Sequence, residues 1–193
     1  MKKIYKIISW LGLVTGISLL VGCMTTVKDS AYVDNYKQAL QAESIDLEEA
    51  GISAEWVGQH FSSVMNHFKS SDVKERAKIA FAEQIYFNDT WHTHQNPKEL
   101  GDYLQRTGEK VSFIEVLVDD VVISKTNAYV RWNMSIVVNE KDKPINSIGM
   151  THLRFNEDKK IVTYQDYWDG IEGFYRTLPV IGGVLEMIRK KLA

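Results

Sequence analysis

The sequence has a single cysteine, Cys23, so it can build neither a disulfide framework nor a cysteine-based zinc site. It has no surplus of positive charge. The 23 Lys and Arg residues against 25 Asp and Glu leave a formal net charge of -2, which excludes a generic nucleic-acid binder that works by neutralising phosphates. Long hydrophobic runs are absent except for one near the amino terminus, so the chain does not read as a multispanning membrane protein. There is no internal repeat and no low-complexity tract. What remains is a balanced composition. Of 193 residues, 45% are hydrophobic, 11% aromatic and 25% charged, enough for one domain with a sizeable core and too few for two large ones.

The first residues read as an address. Met1-Lys2-Lys3 with Lys6 forms a basic start, and Ile7 to Leu20 is an almost unbroken apolar run containing Gly12, Gly16 and Ser18. This is the pattern of a secretory signal peptide, and the run is shorter than the roughly 20 residues of a bilayer span. It ends in Leu20-Val21-Gly22-Cys23, which resembles a bacterial lipobox, where the chain is cut before a cysteine that becomes lipidated. Residues 1–22 are therefore expected to be a lipoprotein signal peptide and Cys23 the lipidation site, carrying palmitate-like chains that anchor the protein to a membrane. Cleavage removes Lys2, Lys3 and Lys6 and no acid, leaving 20 cations against 25 carboxylates, a net charge of -5. In the lipoproteins this resembles, Asp after the cysteine implies inner-membrane retention. Met24 stands there instead, which favours the periplasmic leaflet of the outer membrane.

Residues 23–51 are polar and acidic, with Asp34, Glu43, Asp46, Glu48 and Glu49 and no sustained apolar stripe. They are expected to form a lipid-anchored tether, stiffened by a short helix over Ala31 to Ala42. From Ser53, a plausible N-cap, Val57, Phe61, Val64, Met65 and Phe68 recur at helical spacing. A second helix is expected from Asp72 to about Gln84, and a third from Asn96 as N-cap with Pro97 in its first turn, stopping before Gly108. Ile85 to Trp91 reads as a short strand. After Gly108 the period becomes two, over Val111 to Ile123, Ala128 to Val138, Ile145 to Phe155 and Ile161 to Trp168. Val130, Trp132, Met134 and Ile136 share one face, expected to be core, and Tyr129, Arg131, Asn133 and Ser135 share the other. Long strands joined by short turns, preceded by helices, imply an α+β layer fold with an antiparallel sheet. A last amphipathic helix over residues 180–192 carries Ile181, Val184, Leu185, Ile188 and Leu192 as a stripe, with Arg189, Lys190 and Lys191 at its end. It either closes the core or a dimer groove, or lays its apolar face on the adjacent membrane, being too short to span it.

This order of elements resembles the cone-shaped nuclear transport factor 2-like (NTF2-like) superfamily. Thr151-His152-Leu153-Arg154-Phe155-Asn156, followed by Lys159-Lys160-Ile161-Val162, resembles the strand, turn and strand of ketosteroid isomerases and of SnoaL-type polyketide cyclases. Asp166-Tyr167-Trp168-Asp169 resembles the end of the last strand in SnoaL-like proteins. The resemblance implies an α+β fold for residues 52–193, with three helices packed on a strongly curved antiparallel sheet and an added C-terminal helix. It implies no single activity, because the superfamily holds isomerases, cyclases, dehydratases and noncatalytic binding domains.

Carried over by position, Asp89 falls where ketosteroid isomerases place their carboxylate general base, and Trp168 matches an aromatic residue lining their pocket. Period two puts Tyr164 and Asp166 on the face of Trp168. Thr151 falls where the isomerases keep a protonated aspartate; its hydroxyl donates a hydrogen bond but is not a strong acid. One reading makes Asp89 and Asp166 catalytic in a cofactor-free isomerase, cyclase or dehydratase. The other makes Asp89 a turn or cap residue and Asp166 an ion-pair partner of Arg131 or Arg154. Phe87, Trp91, His92, Trp132, Thr151, Tyr164 and Trp168 are expected to line a pocket for a small lipophilic ligand. His92, His94 and Asp89 lie too close together in one loop to make a strong metal motif, so neither metal nor cofactor is expected. The favoured reading is a membrane-tethered, noncatalytic domain that binds a small lipophilic ligand or a partner protein. Homodimers are common in the superfamily, and one is expected here through the outer face of the sheet.

Overall fold

The computed structural model describes residues 31–178 and 180–192. The expected signal peptide, Cys23 and the start of the expected tether lie outside the described residues. Tyr36–Ala193 forms one compact unit, whose start lies within the first described helix, α1 (Tyr32–Ala39).

Helix α2 (Ala54–Met65) starts where expected because the Ser53 hydroxyl accepts the Trp56 N–H at 3.1 Å, satisfying one of the unpaired donors of the first turn. Helix α3 (Val73–Ala80) ends earlier than its expected limit near Gln84, and strand β1 (Phe81–Asn88) begins at once. A register shift between Phe81 and Tyr86 interrupts the pairing of β1 with its neighbour, which hides period two from the sequence. After the short β2 (Thr93–His94) comes α4 (Pro97–Glu109), capped by Asn96 through the Glu99 N–H at 2.9 Å. Gly108 does not stop this helix but lies within it. A Cβ there would come within 2.0 Å of the Phe68 carbonyl oxygen, so glycine permits close packing instead.

Strands β3 (Phe113–Ser124), β4 (Asn127–Val137), β5 (Ile145–Phe155) and β6 (Ile161–Trp168) follow the expected runs. The six-stranded open sheet has the order β2-β1-β6-β5-β4-β3. All pairings are antiparallel except β1 with β6, which is parallel. Irregularities between Val118 and Asp120 and between Arg154 and Phe155 add the local bends that curve such a sheet. Phe61, Val64, Leu100 and Leu104 from the helices bury against Phe81, Phe87, Val130, Trp132, Leu153 and Tyr164 from the sheet. Trp132 is on the core face as expected, while Arg131 is exposed and pairs with Asp119 at 3.1 Å. The chain ends in α5 (Gly170–Gly173), a 3-10 turn (Tyr175–Thr177) and α6 (Ile181–Leu192), and no described residue of α6 is buried.

The end of the expected tether, residues 23–51, packs on the domain. The Ile45 N–H donates to the Phe155 carbonyl and the Leu47 N–H to that of Lys125, both at 2.9 Å, and the Leu47 side chain is fully buried. Arg154 adds hydrogen bonds to the Ala39 and Leu40 carbonyls. Two alternating apolar residues suffice to seat a segment once partners exist for its backbone, although they make no stripe visible in sequence. His152 is on the outer face of the sheet, as period two requires, yet it is buried. Tyr36 donates to its Nδ1 at 2.9 Å and its Nε2 donates to Asn127 Oδ1 at 2.8 Å. Burial, with the Arg154 charge adding, lowers its pKa to about 4, so the ring is neutral.

Candidate functional site

Beyond β1 the chain turns back through Asp89–His92 into β2, and Asp89 organises that turn. Its Oδ1 accepts the N–H groups of Trp91 at 2.9 Å and His92 at 2.8 Å, and its Oδ2 accepts the Tyr103 hydroxyl from α4. Both oxygens are thus engaged. Thr90 has φ +76°, a left-handed conformation costly for a β-branched residue. It is held there from two sides. Its N–H donates to Asn88 Oδ1 at 2.8 Å, and the Trp168 indole N–H donates to its hydroxyl at 2.6 Å.

Asp166 lies on β6 directly opposite Thr151 on β5 and is almost fully buried. The Trp132 indole N–H donates to Thr151 Oγ1 at 2.8 Å, and the Thr151 hydroxyl donates in turn to Asp166 Oδ1. Tyr164 Oη lies 3.3 Å from Asp166 Oδ2 and 3.5 Å from Met65 Sδ. One phenolic proton cannot serve both acceptors. The Tyr164 hydroxyl donates to Asp166 Oδ2, and Met65 Sδ is a second, weaker acceptor beside it. Burial pushes the Asp166 carboxyl up to about 8 against the opposing Thr151 hydrogen bond, and the nearby Asp89 charge adds to the rise. The same burial and the Asp166 charge hold the Tyr164 phenol well above its ordinary range. Burial thus favours the protonated form of Asp166. Neither arginine considered as its partner reaches it: Arg131 pairs with Asp119, and Arg154 bonds Ser44 and backbone carbonyls.

The expected pocket residues divide into two groups. Phe87, Trp132, Thr151 and Tyr164 are buried and packed on one another or on the core, with Phe87 stacked on Tyr164 at 4.5 Å. Trp91 and His92 are exposed and Trp168 is half-buried. Trp91 stacks on Trp168 (6.4 Å) and on Tyr175 (5.6 Å), and Phe174 meets its edge at 4.8 Å. This cluster includes Phe174 and Tyr175, which no sequence pattern singled out. His92 and His94 sit against Tyr103 with ring centres 4.7 and 5.0 Å away. Burial lowers the His94 pKa. Burial and the Asp89 charge together raise the Tyr103 pKa. Among the described residues no group of three His, Cys, Asp or Glu is arranged to hold a metal ion. Two open hollows, about 490 and 500 Å³, lie elsewhere: one over Asn133, Ser147 and Gly173, the other beside α6.

Residues 61–164, more than half of the chain, match the SnoaL-like domain family. An epoxide hydrolase of M. tuberculosis described as LEH-like superposes with TM-score 0.51 at 11% identity, over 69% of this chain and 95% of its own. TsrD from Streptomyces laurentii gives TM-score 0.54 at 12% identity, over 66% and 98%. A protein with a ketosteroid isomerase-like fold from Catenulispora acidiphila, solved with trimethylamine, gives 0.52 at 12%, over 60% and 88%. No curated protein matches the chain in sequence.

Proposed function

The chain belongs to the SnoaL-like domain family, and from that premise we propose that it is a membrane-tethered domain of the bacterial cell envelope that binds a small lipophilic ligand without transforming it. The observation that carries this reading is the engagement of Asp89. A general base needs a lone pair aimed at substrate, and here three of the roughly four lone-pair sites of the Asp89 carboxylate are taken up within its own turn and helix by Trp91, His92 and Tyr103. Asp166 is buried, with its two oxygens held by Thr151 and Tyr164. The surface suited to an apolar molecule is the accessible cluster of Trp91, Trp168, Phe174 and Tyr175. Anchorage is through lipidated Cys23, on the periplasmic leaflet of the outer membrane. A second copy covers the outer sheet face, where Leu117, Ile148 and Met150 are exposed beside Asn133 and Arg131.

The second reading, a cofactor-free isomerase, cyclase or dehydratase with Asp89 as base, draws support from the charge of Asp89 acting on Asp166 and Tyr103. Native mass spectrometry of the protein extracted from its own membrane separates the two. A retained small-molecule mass that is released unaltered supports binding. A mass converted to a new species on incubation supports the enzyme.

A further inference from the structure

We propose that α6 is an interfacial helix that lies in the surface of a bilayer containing anionic lipid. Its attachment to the domain is polar. Arg189 pairs with Glu172 at 2.8 Å, Arg176 reaches Glu172 and Glu186, and Gly182 sits on the Arg176 carbonyl, where a Cβ would come within 2.3 Å of the oxygen. The apolar side is left uncovered. Val180 and Leu192 are 81% and 84% exposed, and Ile181, Val184, Met187 and Ile188 are all exposed too. Beside the Arg189–Glu172 pair, α6 and α5 are separated by an open hollow of about 500 Å³, with Leu185, Ile188 and Leu192 along its wall.

The charges specify the occupant. On a helix of 3.6 residues per turn, Ile181, Val184, Ile188 and Leu192 fall within an arc of about 80°. Arg189 and Lys191 flank that arc on either side, and Glu186 faces away from it. After Glu186 the helix carries Arg189, Lys190 and Lys191 and no acid. Across residues 170–192, four cations stand against two carboxylates, a local reversal of sign on a mature chain that is acidic overall. An apolar stripe bordered by cations matches acyl chains bordered by anionic headgroups. A second copy presenting the same face would instead bring like charges together. At 12 residues the helix is about 18 Å long, so it lies along the surface rather than crossing it.

The strength of the contact rests on the anchoring proposed above. Twelve residues separate Cys23 from Tyr36, a reach of about 45 Å when fully extended, so the anchored domain meets the bilayer at high effective concentration.

The test uses the full lipidated chain. Lipidation consumes the only native thiol, so Val184→Cys and, separately, Lys190→Cys each present one site for a bimane label. In vesicles of phosphatidylethanolamine and phosphatidylglycerol, the label at position 184 should shift to the blue and be quenched by brominated acyl chains. The label at position 190 should stay water-like. Replacing Lys190 and Lys191 with Gln should weaken insertion about fivefold per charge, and phosphatidylcholine vesicles should do likewise. A protein that sediments with vesicles while its position-184 label reports water overturns this inference and leaves the anchor standing. A protein without acyl mass that does not sediment overturns the anchor, and the position-184 label in the Cys23→Ser, Val184→Cys chain, its single thiol, then decides the helix with the same vesicles. A blue shift that needs no vesicles and grows with protein concentration assigns the face to a second copy and overturns the proposal.

Discussion

Thr151 and Asp166 stand opposite one another on neighbouring strands, and the threonine hydroxyl donates to the Asp166 carboxyl. The resemblance to ketosteroid isomerases implies a protonated acid at the position of Thr151. The structure places a buried carboxyl one strand away, linked to that position by a hydrogen bond. Thr151 and Tyr164 both donate to that carboxyl, and the Trp132 indole donates to Thr151, while burial favours its protonated form.

The pH dependence follows from the direction in which burial moves that carboxyl. Asp166 has a folded pKa of about 8 against 3.8 for an ordinary aspartate. Between those values the unfolded chain has lost the proton and the native one keeps it, so stability falls as pH rises through this window and levels off above it. Asp166→Asn cannot ionise in either state. Each tenfold difference in proton affinity between the folded and unfolded chains is worth ~1.4 kcal/mol. Urea melts at intervals from pH 4 to 8.5 should therefore show wild type losing roughly 2–5 kcal/mol relative to Asp166→Asn. His152 acts in the opposite sense, its contribution being lost as pH falls from about 6.5 toward 4, but it is common to both proteins and cancels. A difference that is flat with pH would mean that Asp166 is ionised in the native state.

How much of this was legible in the sequence depended on distance along the chain. The caps at Ser53 and Asn96, the four long strands and the core face of Trp132 are encoded locally and appear where expected. The early start of β1 does not, because a parallel pairing with β6, some 80 residues away, decides it and its irregularity erases the alternation. The candidate site divides in the same way. Period two placed Asp166 and Trp168 on one face, but the engagement of Asp89 by Tyr103 joins a turn to a helix face that read as ordinary core. The stacking of Tyr175 on Trp91 joins two loops with no pattern of their own.

Trp132 and Arg131 test the strand faces. Trp132→Ala removes a buried indole and the donor that holds Thr151, and should cost about 3–5 kcal/mol in a denaturant melt. Arg131→Ala removes an exposed ion pair and should cost under about 1 kcal/mol. Equal losses would mean that the face assignment is wrong.

Cys23→Ser should abolish metabolic labelling with an alkyne fatty acid and leave an unprocessed or soluble form, because a hydroxyl is not a substrate for thioether formation. Labelling that survives the change would refute the anchor.

The expected homodimer places Ile148 at its interface. Multi-angle light scattering at micromolar concentration should give twice the chain mass for the delipidated protein, and Ile148→Asp should return the monomer by burying an unpaired charge. Arg131 and Asn133 already bond Asp119 within the chain, so they can enter the interface with their hydrogen bonds satisfied. A monomeric wild type would remove the idea.

Asp89 and Trp168 decide between binding and catalysis. In Asp89→Asn the amide oxygen still accepts from Trp91 and His92, and the amide nitrogen can donate to the Tyr103 oxygen in place of accepting from its hydroxyl, so the turn keeps its shape. A binding domain should then hold its retained ligand within about threefold of wild type, a change worth under ~1 kcal/mol. Trp168→Ala removes an apolar wall and also the donor that pins Thr90 in its left-handed conformation, and should weaken retention at least about tenfold. Competition measured by native mass spectrometry on all three proteins reads both effects at once. Turnover that is present in wild type and missing in Asp89→Asn would make the protein an enzyme. Retention unchanged in Trp168→Ala would move the binding surface away from the tryptophan cluster altogether.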